Sequence, residues 1–433
     1  MILDTLHGSA TQIDITPPIG TSLEGYAART QPSIGIHDPL YASLIFLKLG
    51  NEEILLISLD QIALSAVVSE HIRAAICAQT NLKPEDILIV CTHTHAGPSG
   101  YISRFPMLSD SIDPFLVDLL SRKLAGAALE LSTRLQPVSL ELGRDAIFGL
   151  GRNRNDLKNE LQDHELLVLV MKSVEGQALA LWVNFGCHPT VLGYENRLIS
   201  ADYPGAARKA IQRQYPGLVW CFSNGAAGDI STRFTRRGQN FAEVERSGLL
   251  LAGSVLKAMQ TAEPMKVDKL SGKMQQIELP LREFGSVETA RSKAKALEQS
   301  WQEMKASGEA SAELRKAMTK AEGAQAQVMM AEFYAGRKSI PSYIHFIKIG
   351  AFDIIGIPGE TFTRTVLEIK ALGDGQGTVV CSYSNDYCGY FPDPISVQAG
   401  TYEALVSPFS EHVADILIEK TASYLKGDSG AKH

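Results

Sequence analysis

The sequence predicts an α/β fold with mixed β-sheets flanked by helices and a helical hairpin inserted between sheet elements. Three observations carry this. Short apolar runs alternate with helix-period segments along most of the 433 residues. Five polar, glycine-rich blocks each directly follow an apolar run. One stretch, about 286–336, is rich in Ala, Glu, Lys, Gln and Met and nearly free of β-branched residues.

Residues 40–49 and 53–60 are apolar runs separated by Gly50-Asn51-Glu52, the pattern of a hairpin. Val68, Ile72, Ala75 and Ile76 then repeat at helical spacing, and Ile87–Cys91 reads as a short strand after Pro84. A helix is expected over 114–133. The runs Leu166–Met171 and Ala178–Asn184 flank Val174-Glu175-Gly176-Gln177, a second hairpin. Further strands are expected at 218–222, 345–350, 352–357 and 378–383, with helices near 203–214, 242–261, 361–372 and 410–426. In the inserted stretch, Ala290, Ala294, Leu297, Trp301 and Met304 follow a 4-3-4-3 spacing, resumed after Gly308 by Leu314, Met318, Ala321 and Val328. Such a hairpin serves as a structural arm, a lid over a site or a contact between copies of the chain. No repeat or linker forces a division, so residues 1–433 read as one domain.

With 45% apolar residues the chain can bury a substantial core, and a net charge of -7 without a long basic run argues against a nucleic-acid partner. No apolar run reaches the ~20 residues needed to span a bilayer, so stable membrane insertion is not expected. The start, MILDTLHGSATQIDITPP, lacks a basic segment followed by an apolar stretch. The six cysteines, Cys77, Cys91, Cys187, Cys221, Cys381 and Cys388, are scattered in mostly apolar contexts. Both features favour a cytoplasmic location.

The strongest chemical signal is Thr92-His93-Thr94-His95-Ala96-Gly97-Pro98-Ser99-Gly100. On an extended strand end, side chains at i and i+2 point the same way, so both imidazoles are expected to face one cleft. Simple solvation at a strand end is the competing reading. His188, in Asn-Phe-Gly-Cys-His-Pro-Thr after another strand, supplies a third imidazole, a residue type suited to divalent metals. A third block, Ser223-Asn224-Gly225-Ala226-Ala227-Gly228-Asp229-Ile230-Ser231, offers a carboxylate and a hydroxyl among residues small enough to let a ligand approach the backbone, and a plain tight loop would look much the same. In the fourth, Ile357-Pro358-Gly359-Glu360-Thr361, the carboxylate of Glu360 is expected to open a helix, where the helix dipole favours it, and would also project from the strand end into a cleft. The fifth is Asn385-Asp386-Tyr387-Cys388-Gly389-Tyr390. Sites in α/β folds gather at strand ends, and all five blocks obey that rule.

These blocks, THTHAGPSG, NFGCHPT with LISADYPG, NGAAGDIS, IPGETFT and NDYCGY, together with the N-terminal DITPPIGTSLEGY, resemble the neutral/alkaline (non-lysosomal) ceramidase family in kind and order, from about Ile13 to Ser410. The resemblance implies a Zn2+-dependent hydrolase that cleaves an amide (N-acyl) bond; metal-activated water is the expected nucleophile, because no sequence feature makes Ser231 unusually nucleophilic. It implies His93, His188, Glu360 and Tyr390 as metal ligands, Tyr390 rather than Tyr387 because the family ligand is the second tyrosine of Asn-x-Tyr-x-x-Tyr. It makes His95 the histidine that orients or deprotonates the attacking group. Arg154 becomes the holder of the oxyanion, with Arg152 a near competitor, and Ser231 the serine important for catalysis or the nucleophile itself.

Departures from the family bear on the substrate. The immunoglobulin-like C-terminal domain of larger members is expected to be absent, and Ser231 precedes Thr232-Arg233 where the family usually has proline. Arg233, Arg236 and Arg237 crowd the loop after Ser231; if they face the site, a small polar or anionic acyl substrate fits better than ceramide. An esterase or lactonase acting on the same site is the alternative, and an inactive metal- or ligand-binding relative is a further one. A homo-oligomer formed through the hairpin completes the expected partners.

Overall fold

The computed structural model describes residues 5–103, 112–155, 161–307, 311–373 and 377–429. The strands of a nine-stranded mixed sheet come first: β1 (Leu6–Asp14), β2 (Tyr41–Leu49), β3 (Glu52–Leu59), β4 (Ile87–Cys91), β5 (Gln136–Ala146), β6 (Glu165–Ser173), β7 (Ala178–Phe185), β8 (Val219–Asn224) and the short β9 (Glu263–Met265). Its order is β8-β7-β6-β5-β1-β2-β3-β4, with β9 beside β5. A four-stranded sheet follows, built in order from β10 (Leu270–Pro280), β11 (Ser339–Ile349), β12 (Phe352–Gly356) and β13 (Thr378–Cys381).

The strands read as near-continuous apolar runs because both faces of the sheets are covered. Leu56, Leu88, Val90, Leu167, Leu169 and Trp182 of the large sheet pack against Ile347, Ile349, Phe352, Ile354 and Val379 of the small one. The alternate residues of the same strands point the other way. Val168, Val170, Leu181 and Val183 meet Ile211 of α3 (Asp202–Gln214) and Leu251 and Val255 of α4 (Phe241–Gln260). Leu55, Ile57 and Ile89 share a third core with Val68 and Ile72 of α1 (Ala66–Cys77) and Leu120 and Leu124 of α2 (Pro114–Thr133). Asp113 caps α2 by accepting from the amides of Phe115 and Leu116.

The expected mixed α/β architecture is therefore present, both hairpins included. Gly50 turns the first with φ at +59°. The inserted stretch forms two helices, α5 (Val287–Ala306) and α6 (Ser311–Phe333), packed on each other through Ala290, Ala294, Ala324, Val328 and Ala331. The turn expected at Gly308 lies outside the described residues. Strands β1, β5 and β10 were not foreseen, since LHGSATQID, QPVSLELGRDA and LSGKMQQIELP carry too few apolar residues to register as buried strands. Their partners' registers pull them into the sheets. The chain closes with α7 (Thr363–Ala371), the short α8 (Pro394–Ala399) and α9 (Tyr402–Leu405), and α10 (Val413–Ser429). No described helix is long and apolar enough to cross a membrane.

Candidate metal centre and catalytic cleft

Three parallel strand pairs, β3–β4, β7–β8 and β12–β13, give the fold a common exit edge. The chain leaves β4 into His93, β7 into His188, β8 into Ser231, β12 into Glu360 and β13 into Tyr383 to Tyr390. Side chains then lock these ends together. The buried carboxamide of Asn224 donates to the Thr92 and Cys187 carbonyls at 3.3 and 3.1 Å and accepts from the Cys187 amide at 3.0 Å, so one residue ties both histidine loops. Asp229 does the same for two other loops, accepting from the Thr363 amide and hydroxyl at 2.9 and 2.7 Å and from Asn153 at 2.7 Å.

Asp229 is thus spent on structure and faces loops rather than the cleft; burial raises its carboxyl to about 6. The small residues of its block follow the tight-loop reading rather than the ligand one. A Cβ on Gly228 would fall 2.8 Å from the Glu360 carbonyl and 2.8 Å from the Phe362 ring, and one on Gly186 would fall 2.6 Å from the Ala226 carbonyl. Neighbouring backbone, not a ligand, occupies that space.

Two further expectations are corrected. The two histidines do not share a side by strand alternation: β4 ends at Cys91, and His93 turns out of it with φ at +68°. Its ring stands edge-on to His95 with centroids 4.8 Å apart. Glu360 does not open a helix. It forms a two-residue parallel bridge with Tyr390, and α7 starts only at Thr363. The pairing sets the Glu360 and Tyr390 backbones side by side.

The resulting geometry brings the named residues into one place. His93 donates from Nδ1 to the Ile62 carbonyl at 2.8 Å, and His188 from Nδ1 to the carbonyls of Ala227 and Ile230 at 2.5 and 3.2 Å. Each carbonyl can only accept, so Nδ1 carries the proton and Nε2 presents a lone pair. Both Nε2 atoms face Glu360, whose Oε2 lies 3.0 Å from that of His188 and 3.8 Å from that of His93. His95 adds its Nε2 at 3.2 Å from that of His93. One ring nitrogen each from His93, His95 and His188 falls within 4.8 Å of the other two. Burial lowers the pKa of all three, that of His188 to about 3, so they are neutral near pH 7.

Neutral imidazoles and a carboxylate aiming lone pairs at one buried point need a cation to be satisfied. The Nε2 of His188 has no hydrogen-bond partner among the described residues, so the donor set fits a divalent metal. Two tyrosines not foreseen as carboxylate partners complete the surroundings. Tyr387 donates to Glu360 Oε1 at 2.6 Å and Tyr383 to Oε2 at 3.2 Å, while the Tyr383 ring stacks on His93 at 3.7 Å. Tyr387 stood in the sequence as the competitor of Tyr390; Tyr383 is the last residue of the strand expected over 378–383, the one signal that could have marked it.

The group opens into a cavity of about 760 Å3 walled by His95, His188, Ser231, Arg154 and Tyr390. Arg154 donates to the Gly228 carbonyl at 2.8 Å and to the Tyr390 hydroxyl at 3.3 Å, and its Nε lies 2.7 Å from Glu403. Arg152, its competitor, pairs in a short strand opposite Ser231 and is absent from the described cavity wall. Ser231 is buried, and its hydroxyl oxygen caps the following turn by accepting from the Arg233 amide at 3.2 Å. Gly25, from the N-terminal stretch, presses on His95 so closely that a Cβ would fall 2.5 Å from Nδ1. Helix α6 supplies Met318, Thr319 and Glu322 to the opposite wall, so the hairpin borders the cleft.

Comparison with known proteins agrees with this geometry. The chain is 26% identical over 221 residues to neutral ceramidase 1 of Arabidopsis thaliana, a stretch covering 47% of this chain and 28% of that protein. It is 24% identical over 237 residues to neutral ceramidase B of Dictyostelium discoideum, covering 48% of this chain and 33% of the relative. The match therefore spans about a third or less of these relatives' own length. Among solved structures, neutral ceramidase from Pseudomonas aeruginosa superposes with a TM-score of 0.77 at 18% identity, over 98% of this chain and 75% of that one. A ceramidase complexed with C2 superposes equally well, at 16% identity over 98% and 76%. The family of neutral/alkaline non-lysosomal ceramidases, through its N-terminal portion, matches residues 8–247, more than half of the chain, and the protein belongs to that family.

Proposed function

We propose that the chain is a zinc-dependent amidohydrolase that cleaves an N-acyl bond with water. The observation that carries this reading is the convergence of the Nε2 lone pairs of His93 and His188 on the Glu360 carboxylate, beside a cavity that also presents Arg154. His93, His188, Glu360 and Tyr390 would hold the ion. A bound divalent metal supplies Lewis acidity and lowers the pKa of water in contact with it.

The chain's own residues carry the remaining work. His95 borders both the cavity and His93, so its neutral Nε2 can take a proton from the attacking water and return it to the departing amine. Arg154, fixed by Glu403 and Gly228, offers a charged donor to the oxygen that gains negative charge as the carbonyl carbon becomes tetrahedral. In the balanced reaction the water oxygen bonds to the acyl carbon, the C–N bond breaks, and the nitrogen leaves as an amine with one of the water's protons. Ser231 fits a positioning role better than that of nucleophile. Among the described residues its hydroxyl has one hydrogen-bond partner, the Arg233 amide, and is hydrogen-bonded to no base. Six cysteines with no disulfide among the described residues are in keeping with a cytoplasmic site of action.

The test is elemental analysis of purified wild type and His93→Ala, paired with hydrolysis of matched amide and ester substrates. About one zinc per chain in wild type, lost together with amide hydrolysis in the variant, is the expected result. Metal-free wild type that still hydrolyses amides would overturn the metal reading. Cleavage of the ester alone would make the protein an esterase.

A further inference from the structure

The cavity beside the metal centre carries a charge pattern that amide hydrolysis does not use. Two turns of chain after Ser231 place Arg233 and Arg236 on its wall. The turn is short and well tied: the Arg233 amide donates to the Ser231 hydroxyl at 3.2 Å, and the Arg236 amide to the Thr232 carbonyl at 2.8 Å. Among the described residues the guanidinium of Arg236 donates only to the carbonyls of Thr190 and Val191, which are neutral. Arg233 makes no side-chain hydrogen bond or ion pair among the described residues. Arg233 lies near enough to disfavour the charge of Arg236.

The other charges on the wall do not cancel them. Arg154 and Glu403 neutralise one another at 2.7 Å. Glu322 of α6 is a single carboxylate against two guanidiniums; Arg233 favours its charged form, and no ion pair within 4 Å joins it to either among the described residues. The cavity therefore carries a net positive charge. Met318 is the one large aliphatic side chain among its described lining residues, and the rings of Tyr26, Tyr194, Tyr390 and Tyr402 add apolar surface tipped with hydroxyls. Such a wall accommodates a short acyl chain that ends in a polar group.

We infer that the substrate is an anionic N-acyl compound whose carboxylate is held between Arg233 and Arg236 while its amide lies at the metal centre. This rests on the hydrolase reading above. Paired guanidiniums match a carboxylate's two oxygens, and an anion between them removes their mutual repulsion. The carboxylate can belong to the amine part, as in an N-acyl amino acid, or to the far end of the acyl part, as in a dicarboxylic monoamide.

Two probe pairs separate these sources: N-hexanoylglycine against N-hexanoylglycinamide, and the mono-N-propylamide of adipic acid against N-propylhexanamide. Wild-type protein is expected to favour the anionic member of one pair in kcat/KM, and that pair identifies the part bearing the charge. In the Arg233→Gln, Arg236→Gln double variant the ratio falls by roughly 10- to 100-fold. Arg233→Glu turns the preference towards a cationic analogue, which a general loss of folding would not do. Equal rates on both members of each pair in wild type, or a ratio unmoved by the substitutions, overturns the inference. Calorimetric binding of the two anionic probes provides a readout independent of turnover. If no amide is cleaved, the hydrolase reading fails, while tight binding of one anionic probe that weakens roughly 10- to 100-fold in the double variant still upholds the anion site; equal binding by both proteins overturns it.

Discussion

The strand-end cleft and the helical hairpin border the same cavity but are held together in opposite ways. The hairpin of α5 and α6 is local: its own core consists of five small buried residues, Ala290, Ala294, Ala324, Val328 and Ala331, and most other side chains of α5 are exposed. The cleft is non-local. Asn224 binds the loops after β4 and β7, Asp229 binds Asn153 to Thr363, and Glu360 is held by Tyr383 and Tyr387. Buried polar networks are costly when one member is lost, because each orphaned group stays out of water. A sparse helical pair tolerates change. The difference teaches that rigidity in this molecule is concentrated where metal-binding atoms must converge, and that the adjoining wall is built with less.

The largest effect on stability is expected from Asn224→Ala. It strips partners from Thr92 and Cys187 at once and should cost about 3 kcal/mol in chemical denaturation. A loss below about 1 kcal/mol would mean that the two histidine loops hold their positions without this link. Tyr387→Phe removes only the hydroxyl 2.6 Å from Glu360. Metal affinity, measured by chelator competition, should fall roughly 10- to 100-fold while the fold persists. Unchanged affinity would separate the tyrosine from the metal centre.

A smaller contrast is tested through pH. His345 lies on β11, away from the cleft, with Nε2 2.7 Å from the Glu85 carbonyl and Nδ1 3.1 Å from the Asn385 side chain. Burial lowers its pKa to about 3 from 6.5. The folded state keeps it neutral while the unfolded chain takes up a proton below pH 6.5, so its contribution is intact above that pH and is lost as pH falls towards 3. At pH 5 that loss is about 2 kcal/mol. His345→Gln should therefore flatten the decline in stability between pH 6.5 and 5, as followed by urea unfolding; an equally steep decline would remove this histidine as a source. The smallest effect should come from the hairpin. Leu297→Ala, on a partly buried position, is expected to cost less than about 1 kcal/mol. A larger loss would show that α5 is gripped more firmly than its packing indicates.

Much of the architecture was legible because it follows local period. The hairpins around Gly50 and Gly176, helix α2 over 114–133 and the α5–α6 pair are each written in spacing that a few residues suffice to reveal. The five blocks were legible as strand-end loops, and His93, His95, His188, Ser231, Arg154, Glu360 and Tyr390 do meet at one cavity or against one another. Strands β1, β5 and β10 were not, since their polar residues are admitted only by the partners they pair with.

What the sequence determined by itself is therefore the alternation of elements, the inserted hairpin and the residue types available for chemistry. Tertiary structure alone decided how those types are used. His93 reaches Glu360 through a left-handed turn rather than strand alternation. Glu360 sits beside Tyr390 through a bridge spanning 30 residues rather than at a helix start. Gly228 makes room for backbone, and Asp229 serves two loops instead of the cleft. The physical reason is the same in each case. Periodicity encodes which face of an element is buried, whereas the direction of a side chain leaving a strand end is set by the hydrogen bonds its loop makes with segments distant in the chain.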